Sequence, residues 1–346
     1  MELAQVARPG LILSQVWPGT RCCEGETLRA IEHVLRLDFF RAVHTVDVPT
    51  ACERRDIAAA CAGSHVQLTY CLTRLLTEKG LSLADLDESR RQKAVDGTRR
   101  WLDDAREQGA EKLLLVTGSA PADEKERQIG LRQFEESLGA ICQEAAGSPR
   151  VQVLVEALDV RAHKKCTLGF LEEAIRTVRR VSGLFDNLSL CLDTAHVLLN
   201  GEDPAAGILA GADIITDFHF CNCVTDPTAP LYGDWHLPFG PPGAVDVRTV
   251  SDLMAVAVRA GVLVPSRRPS IYCEILTRPD DDAFANMEAC RRNLEQAWQM
   301  ACLSTKSHYE DQKENPGASA ESLQHRGRSP QKPGRAAVDR RGQRRQ

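Results

Sequence analysis

The chain lacks most of the signatures that assign a protein class at a glance. No stretch of about 18 apolar residues occurs, so no segment reads as a membrane-spanning helix. The first twenty residues carry Glu2, Arg8, Pro9 and Pro18, without a basic start and a following apolar run, so no secretory signal is expected. The 13 cysteines are odd in number and irregularly spaced, which argues against a disulfide framework and for reduced thiols in a cytoplasmic protein. Net charge is −5, with no polycation signature for nucleic acid over the chain as a whole. No Gly-x-Gly-x-x-Gly turn follows any apolar run, which counts against a dinucleotide-binding, doubly wound open sheet.

What is present is a regular alternation. With 346 residues and 43% hydrophobic content, the chain can bury a large core. Short apolar runs predict strands at Leu11–Trp17, Arg41–Val48, His65–Leu72, Lys112–Thr117, Val151–Glu156, Leu188–Asp193, Asp213–Phe220 and Ser270–Ile275. Amphipathic segments predict helices at Glu24–Leu37, Glu53–Ala62, Asp87–Gln108, Glu124–Ala146, Thr167–Ser182, Pro204–Ala210, Val247–Ala260 and Asp281–Met300. The strands are mostly apolar on both faces, as buried parallel strands require. Eight strand–helix repeats point to an α/β fold closed as a single-domain (β/α)8 TIM barrel over residues 1–302.

From Leu303 the apolar pattern fades. Residues 303–346 are rich in Ser, Pro, Gly, Gln and Arg, and are expected to form a disordered basic tail. From Arg326 onward eight Lys and Arg residues face only Asp339. That segment reads either as an RNA-contacting or nuclear-targeting tail or as a plain solvated extension.

The chemistry gathers at strand ends. Glu156 closes VLVE, Asp193 closes LCLD, His219 lies near the end of IITDFHF and Glu274 lies in IYCEI. In a barrel the carboxyl ends of all strands face one mouth, so these four side chains are brought together. Three carboxylates at one point repel each other, and a divalent cation is the simplest compensation. One imidazole among carboxylate oxygens suits Mn²⁺, Mg²⁺ or Co²⁺, with Zn²⁺ a further candidate. Taken singly, each acid is as readily read as a helix cap or an arginine partner. His196 follows Asp193 by three residues, within reach of a substrate or a second metal. In YGDWHLPFGPPGAV, Asp234 and His236 alternate about Trp235 and would point the same way if extended, and the Gly-Pro-Pro-Gly run after them favours a shaped loop at the mouth. His163, with Arg161, Lys164 and Lys165, makes a basic loop after the fifth strand. It reads equally as a recogniser of a phosphate or carboxylate and as a solvated start of a helix. Cys221 and Cys223 read as small packing residues, because no second pair stands at zinc-site spacing. Trp17 and Trp235 are candidates to wall the pocket.

The segments VEALDVRAHKK, LCLDTAHVLLNGE, DFHFCNC, LYGDWHLPFGPPGAVD and YCEI resemble, in that order, the xylose-isomerase-like barrel superfamily, and specifically its sugar phosphate isomerase/epimerase branch. The resemblance covers roughly residues 150–280, and the first half shares only the strand–helix rhythm. It implies Glu156, Asp193, His219 and Glu274 as ligands of one catalytic metal, and substrate contacts for His196, Asp234 and His236. The same superfamily contains AP endonucleases with a three-metal cluster that uses further histidines from earlier strands. Here the fourth strand ends in Thr117-Gly118-Ser119, His65 sits at a strand start, and only His44 remains, which argues against a nuclease.

The expected reaction is isomerisation or epimerisation of a small sugar or hydroxy-carbonyl compound through an enediolate, with Glu156 and Glu274 as the two proton-transferring residues. An AP endonuclease-like phosphodiesterase and a non-catalytic barrel are the alternatives. The expected partner is a small sugar-like molecule. No membrane is expected, nucleic acid is disfavoured, and homo-oligomerisation is left open.

Overall fold

A computed structural model describes residues 1–314, with side chains placed to residue 304. Its compact barrel unit spans Met1–Cys302. Eight parallel strands close on themselves: β1 (Arg8–Ile12), β2 (Ala42–Thr45), β3 (Gln67–Cys71), β4 (Lys112–Leu115), β5 (Gln152–Glu156), β6 (Leu188–Asp193), β7 (Ile215–Val224) and β9 (Ser270–Glu274). Strand β8 (Gly233–Leu237) stands outside the ring, as an antiparallel hairpin partner of β7. The expected TIM barrel is therefore the observed one, with one strand added at the mouth.

Aspartate caps set several helix starts. Asp87, Asp123 and Asp246 each accept a backbone N–H from the first turn of Glu88–Glu107, Glu124–Ala145 and Val247–Arg259. Such caps satisfy donors that the helix itself leaves unpaired. The outer faces of the strands and the inner faces of the helices form one large apolar core. No helix among the described residues is long and apolar enough to cross a membrane.

The first strand departs from the sequence reading. It runs over Arg8–Ile12, and Leu13–Val16 turns helical. The run LILSQVW is apolar enough for either state, and tertiary pairing decides: Arg8, Pro9 and Gly10 register against Ser270, Ile271 and Tyr272 of β9. Gly10 is needed there because a Cβ would strike the Tyr272 ring. At the other end of the chain, the final helix runs over Ala283–Glu314, past the Leu303 where the apolar pattern fades. The rest of the basic tail, residues 315–346, lies outside the described residues.

The barrel interior is partly polar below the mouth. Lys112 Nζ stands 2.7 Å from Asp217 Oδ2 and 3.3 Å from Ser270 Oγ, and both charged side chains are buried. Breaking such a pair strands a charge away from water. Lys112→Met should therefore cost about 3–5 kcal/mol of stability in urea-induced unfolding, and a second change, Asp217→Leu, should restore much of it. A loss below about 1 kcal/mol for the single variant would show that water screens the pair.

Candidate active site at the barrel mouth

A cavity of about 800 Å³ opens at the carboxyl ends of the strands. Glu156, His219 and Glu274 line it, and each of them, like Asp193, is buried. The four residues converge on one atom. His219 Nδ1 lies 2.6 Å from Glu156 Oε1, 3.6 Å from Glu274 Oε2 and 3.8 Å from Asp193 Oδ2. His219 belongs to two groups of possible ligand atoms, one with Asp193 and Glu274 and one with Glu156 and Cys191. One possible ligand atom from each of Asp193, His219 and Glu274 falls within 4.8 Å of the others.

Asp193 does two things at once. Its Oδ1 accepts the N–H groups of Ala195 at 2.7 Å and His196 at 3.1 Å, capping the short helix Thr194–Leu199. That leaves Oδ2 facing His219. The capping role and the site role are thus compatible in one carboxylate. Burial pushes Asp193 up to about 7, with Glu274 and Glu156 adding to the rise while His196 and His219 oppose it. Burial also raises Glu274, but His236 and His219 outweigh it and hold that carboxyl at about 2. Burial works against charge on His219, yet Cys191 and Glu156 beside it raise its pKa well above the ordinary imidazole value.

A second polar cluster adjoins the first. His236 Nε2 stands 3.0 Å from Glu274 Oε1 and 3.6 Å from Asp234 Oδ2. His196 lies between Asp159, at 3.2 Å, and Asp234, at 3.7 Å. Lys164 Nζ approaches Asp234 to 3.1 Å, and Cys221 Sγ lies 3.2 Å from its other oxygen. Burial disfavours charge on His196, but Asp193, Asp159 and Asp234 together lift it to about 9. Burial likewise raises Asp234, and His236, His196 and Lys164 reverse the shift to below the usual carboxylate range.

The hairpin that delivers this cluster is irregular. Asp234 registers against Cys223 and Leu237 against Asn222, with the register shifting between them. His236 sits at φ 50°, a conformation costly for a residue with a Cβ. Asp234 and His236 therefore both line the cavity without the regular alternation expected of them. Asn222 pins the following loop by donating to the carbonyls of Pro238 (2.7 Å) and Gly240 (2.9 Å) and accepting from Val245 N–H (2.8 Å). Gly243 packs so closely on this amide that a Cβ would collide with it.

Several candidates fall elsewhere. His163 does not line the cavity: its Nδ1 accepts from Asp234 N–H at 3.1 Å and its ring lies 4.7 Å from Trp235. It braces the hairpin instead. Of the basic loop only Lys164 reaches the cavity. Trp235 is 45% exposed, and Trp17 packs against His33 and Phe284, so neither walls the pocket. His44 does line it, with its ring 5.0 Å from that of His219 and no hydrogen-bond partner for either nitrogen. Asp159 and Gln15 went unread in the sequence. Asp159 looks like an ordinary turn residue, and it does accept the N–H groups of His163 and Lys164, but its second role toward His196 leaves no local trace.

The sequence profile of the family described as xylose isomerase-like TIM barrel matches residues 29–264, well over half of the chain, and the chain belongs to that family. A search of curated proteins finds no match. Among solved structures, a D-tagatose 3-epimerase-like protein is 16% identical with a TM-score of 0.63, over 84% of this chain and 98% of that one. An IolI protein with a bound zinc atom is 17% identical with a TM-score of 0.58, over 86% and 96% of the two chains. An AP endonuclease, family 2, from Brucella melitensis is 18% identical with a TM-score of 0.59, over 79% and 94%. At such identities these likenesses establish the barrel fold alone.

The charge pattern makes the stability of the metal-free protein depend on pH in a defined direction. Asp193, raised from 3.8 to about 7, contributes stability at acid pH that is lost as pH rises through about 7. His196, raised from 6.5 to about 9, contributes stability that is lost as pH rises through about 9. With a chelator present, the melting temperature should fall from pH about 4 to about 9, through Asp193 in the lower part of the range and His196 in the upper, and saturating Mn²⁺ should flatten that fall. A flat profile without metal, read by scanning calorimetry, would contradict the crowding of charge described here.

Proposed function

We propose that this member of the xylose isomerase-like TIM barrel family is a divalent-metal-dependent isomerase or epimerase of a small sugar or hydroxy-carbonyl compound. The observation that carries this reading is the convergence of Glu156, Asp193 and Glu274 on His219 Nδ1 at the cavity wall. The donor set fits a cation: three acids and one imidazole, buried together and otherwise mutually repulsive, suit Mn²⁺, Mg²⁺ or Co²⁺, and Zn²⁺ as well. When bound, the cation supplies Lewis-acid stabilisation of negative charge developing on substrate oxygens.

The chain's own residues supply the proton movements. Glu156 ends β5 and Glu274 ends β9, so they flank the mouth with β6 and β7 between them. One glutamate, as the carboxylate, takes the proton alpha to the substrate carbonyl, and the other, as the carboxylic acid, gives a proton to the opposite face, or the first returns its own proton to the adjacent carbon; in the two-residue case the pair exchange protonation states. Glu274 is held ionised at about 2, chiefly by His236, and is fixed by His236 and by Gln15 Nε2 at 3.3 Å, so it meets the substrate as a carboxylate in a defined position. His196, lifted to about 9, stays protonated at neutral pH and donates a hydrogen bond to a substrate oxygen. A cavity of about 800 Å³ accommodates a small sugar.

A phosphodiesterase reading has one observation in its favour: Cys221, Asp234 and His236 form a second group with possible ligand atoms within 4.8 Å of one another. Against it, the ends of β3 and β4 bring Cys71, Gly118 and Ser119 to the cavity and no histidine. Strong cleavage of abasic-site DNA by the purified protein would favour that reading over ours.

Glu156→Gln and Glu274→Gln should each lower turnover by about 10²–10⁴-fold while the circular dichroism spectrum shows the fold intact. The assay follows from a screen of ketoses, their phosphates and hydroxypyruvate. Near-full activity of either variant would end the two-glutamate scheme. Metal analysis after loading should find about one equivalent, and less than about a tenth would point to a barrel that only binds a ligand or partner.

A further inference from the structure

Four cationic side chains other than histidine line the cavity: Arg21, Arg74, Arg90 and Lys164. Three of them already meet a carboxylate. Arg74 Nε lies 2.6 Å from Glu78, Arg90 Nη2 lies 3.0 Å from Asp85, and Lys164 Nζ lies 3.1 Å from Asp234. Arg21 differs. Among the described residues no carboxylate comes within ion-pair distance of it, and its hydrogen bonds go to the Ser14 carbonyl and to Gln15 Oε1, the latter at 2.8 Å. A guanidinium offers five N–H donors, and two bonds leave three for another partner.

The surroundings bear on the charge of Arg21. Arg21 is half-buried; burial and then Arg74 oppose its charge, and Glu274, beyond ion-pair distance, offsets them only in part. Arg74 Nη1 also donates to the Arg21 carbonyl at 2.8 Å, which fixes the two residues side by side. A half-buried cation next to a like charge is expensive unless an anion joins it. On the other side Gln15 bridges Arg21 to Glu274 Oε1, so Arg21 stands one side chain from the carboxylate assigned to proton transfer.

The geometry points to Arg21, flanked by Arg74, as the receptor for an anionic group of the substrate, a phosphate or a carboxylate. This inference rests on the isomerase or epimerase reading above and narrows its substrate class to acidic hydroxy-carbonyl compounds rather than neutral sugars. The planar fork of Arg21 suits the paired oxygens of either group. The basic loop Arg161–Lys165 does not take this role, because Lys164 is engaged by Asp234 and the Arg161 guanidinium lies 5.7 Å from the Phe170 ring centroid.

The test is calorimetric titration of the metal-loaded full chain with inorganic phosphate and, separately, with acetate, up to about 10 mM, which registers a Kd of about 1 mM. Wild type should bind at least one probe saturably. Arg21→Gln should weaken that binding about tenfold to a hundredfold, with Arg21→Lys in between. Arg74→Gln, a milder change in the same wall, should weaken it several-fold and serves if Arg21→Gln fails to fold. Preference for phosphate over acetate assigns a phosphorylated substrate, and the reverse assigns a carboxylate. Binding that survives both arginine substitutions belongs to the metal itself and overturns the proposal, as does absence of binding of either probe to wild type. Metal content measured on the same samples separates the two claims. Arg21-dependent anion binding without bound metal would remove the isomerase reading and leave the anion site. Full metal loading with turnover of a neutral sugar and no anion binding would do the opposite.

Discussion

Carboxylates withdrawn from water at the barrel mouth are the constraint around which the rest of this site is arranged. Burying one ionised acid is expensive, and three beside one imidazole are tolerable only if each is separately compensated. Each is. Asp193 gives one oxygen to the start of a helix, Glu274 is held between His236 and Gln15, and Glu156 leans on His219. Deeper in the barrel, Lys112 and Asp217 neutralise each other independently of the mouth. The scaffold pair is thus neutral by itself, while the acids facing the cavity are offset by the imidazoles and Lys164 around them.

The two polar clusters are physically continuous. Glu274 touches His219 on one side and His236 on the other, and Asp234 links His236, His196 and Lys164. Substitution at any one of these residues will be felt by the others, because buried charges within a few ångströms are coupled electrostatically. The β7–β8 hairpin is the device that joins them, and Asn222 and His163 hold it in place from either side.

How far the sequence could be read follows the same logic. The strand ends were legible because VLVE and LCLD switch from apolar to acidic at one position, and a closed barrel sends every such position to one rim. The first strand was not, because LILSQVW satisfies helix and strand alike and only its pairing with β9 separates them. Asp234 and His236 were legible as a pair, but the bulge and the left-handed backbone that bring them together leave no mark in residue spacing. Arg21 was invisible: it stands at the end of a short turn, Pro18–Arg21, outside any periodic pattern, and its meaning comes from lining the cavity with no acid within ion-pair distance among the described residues. Lys112 read as the plain start of a strand, since its partner Asp217 is more than a hundred residues away.

The length of β7 has a geometric corollary. This strand overruns the ring, so His219 of the first cluster and Cys221 of the second stand two residues apart on one face of one continuous strand. Their backbone positions are thus separated by about 6.6–6.8 Å, set by the pitch of extended polypeptide rather than by rotamers or loop closure. Whatever rotamers the side chains take, the offset between the two backbone positions is built in like graduations on a rule.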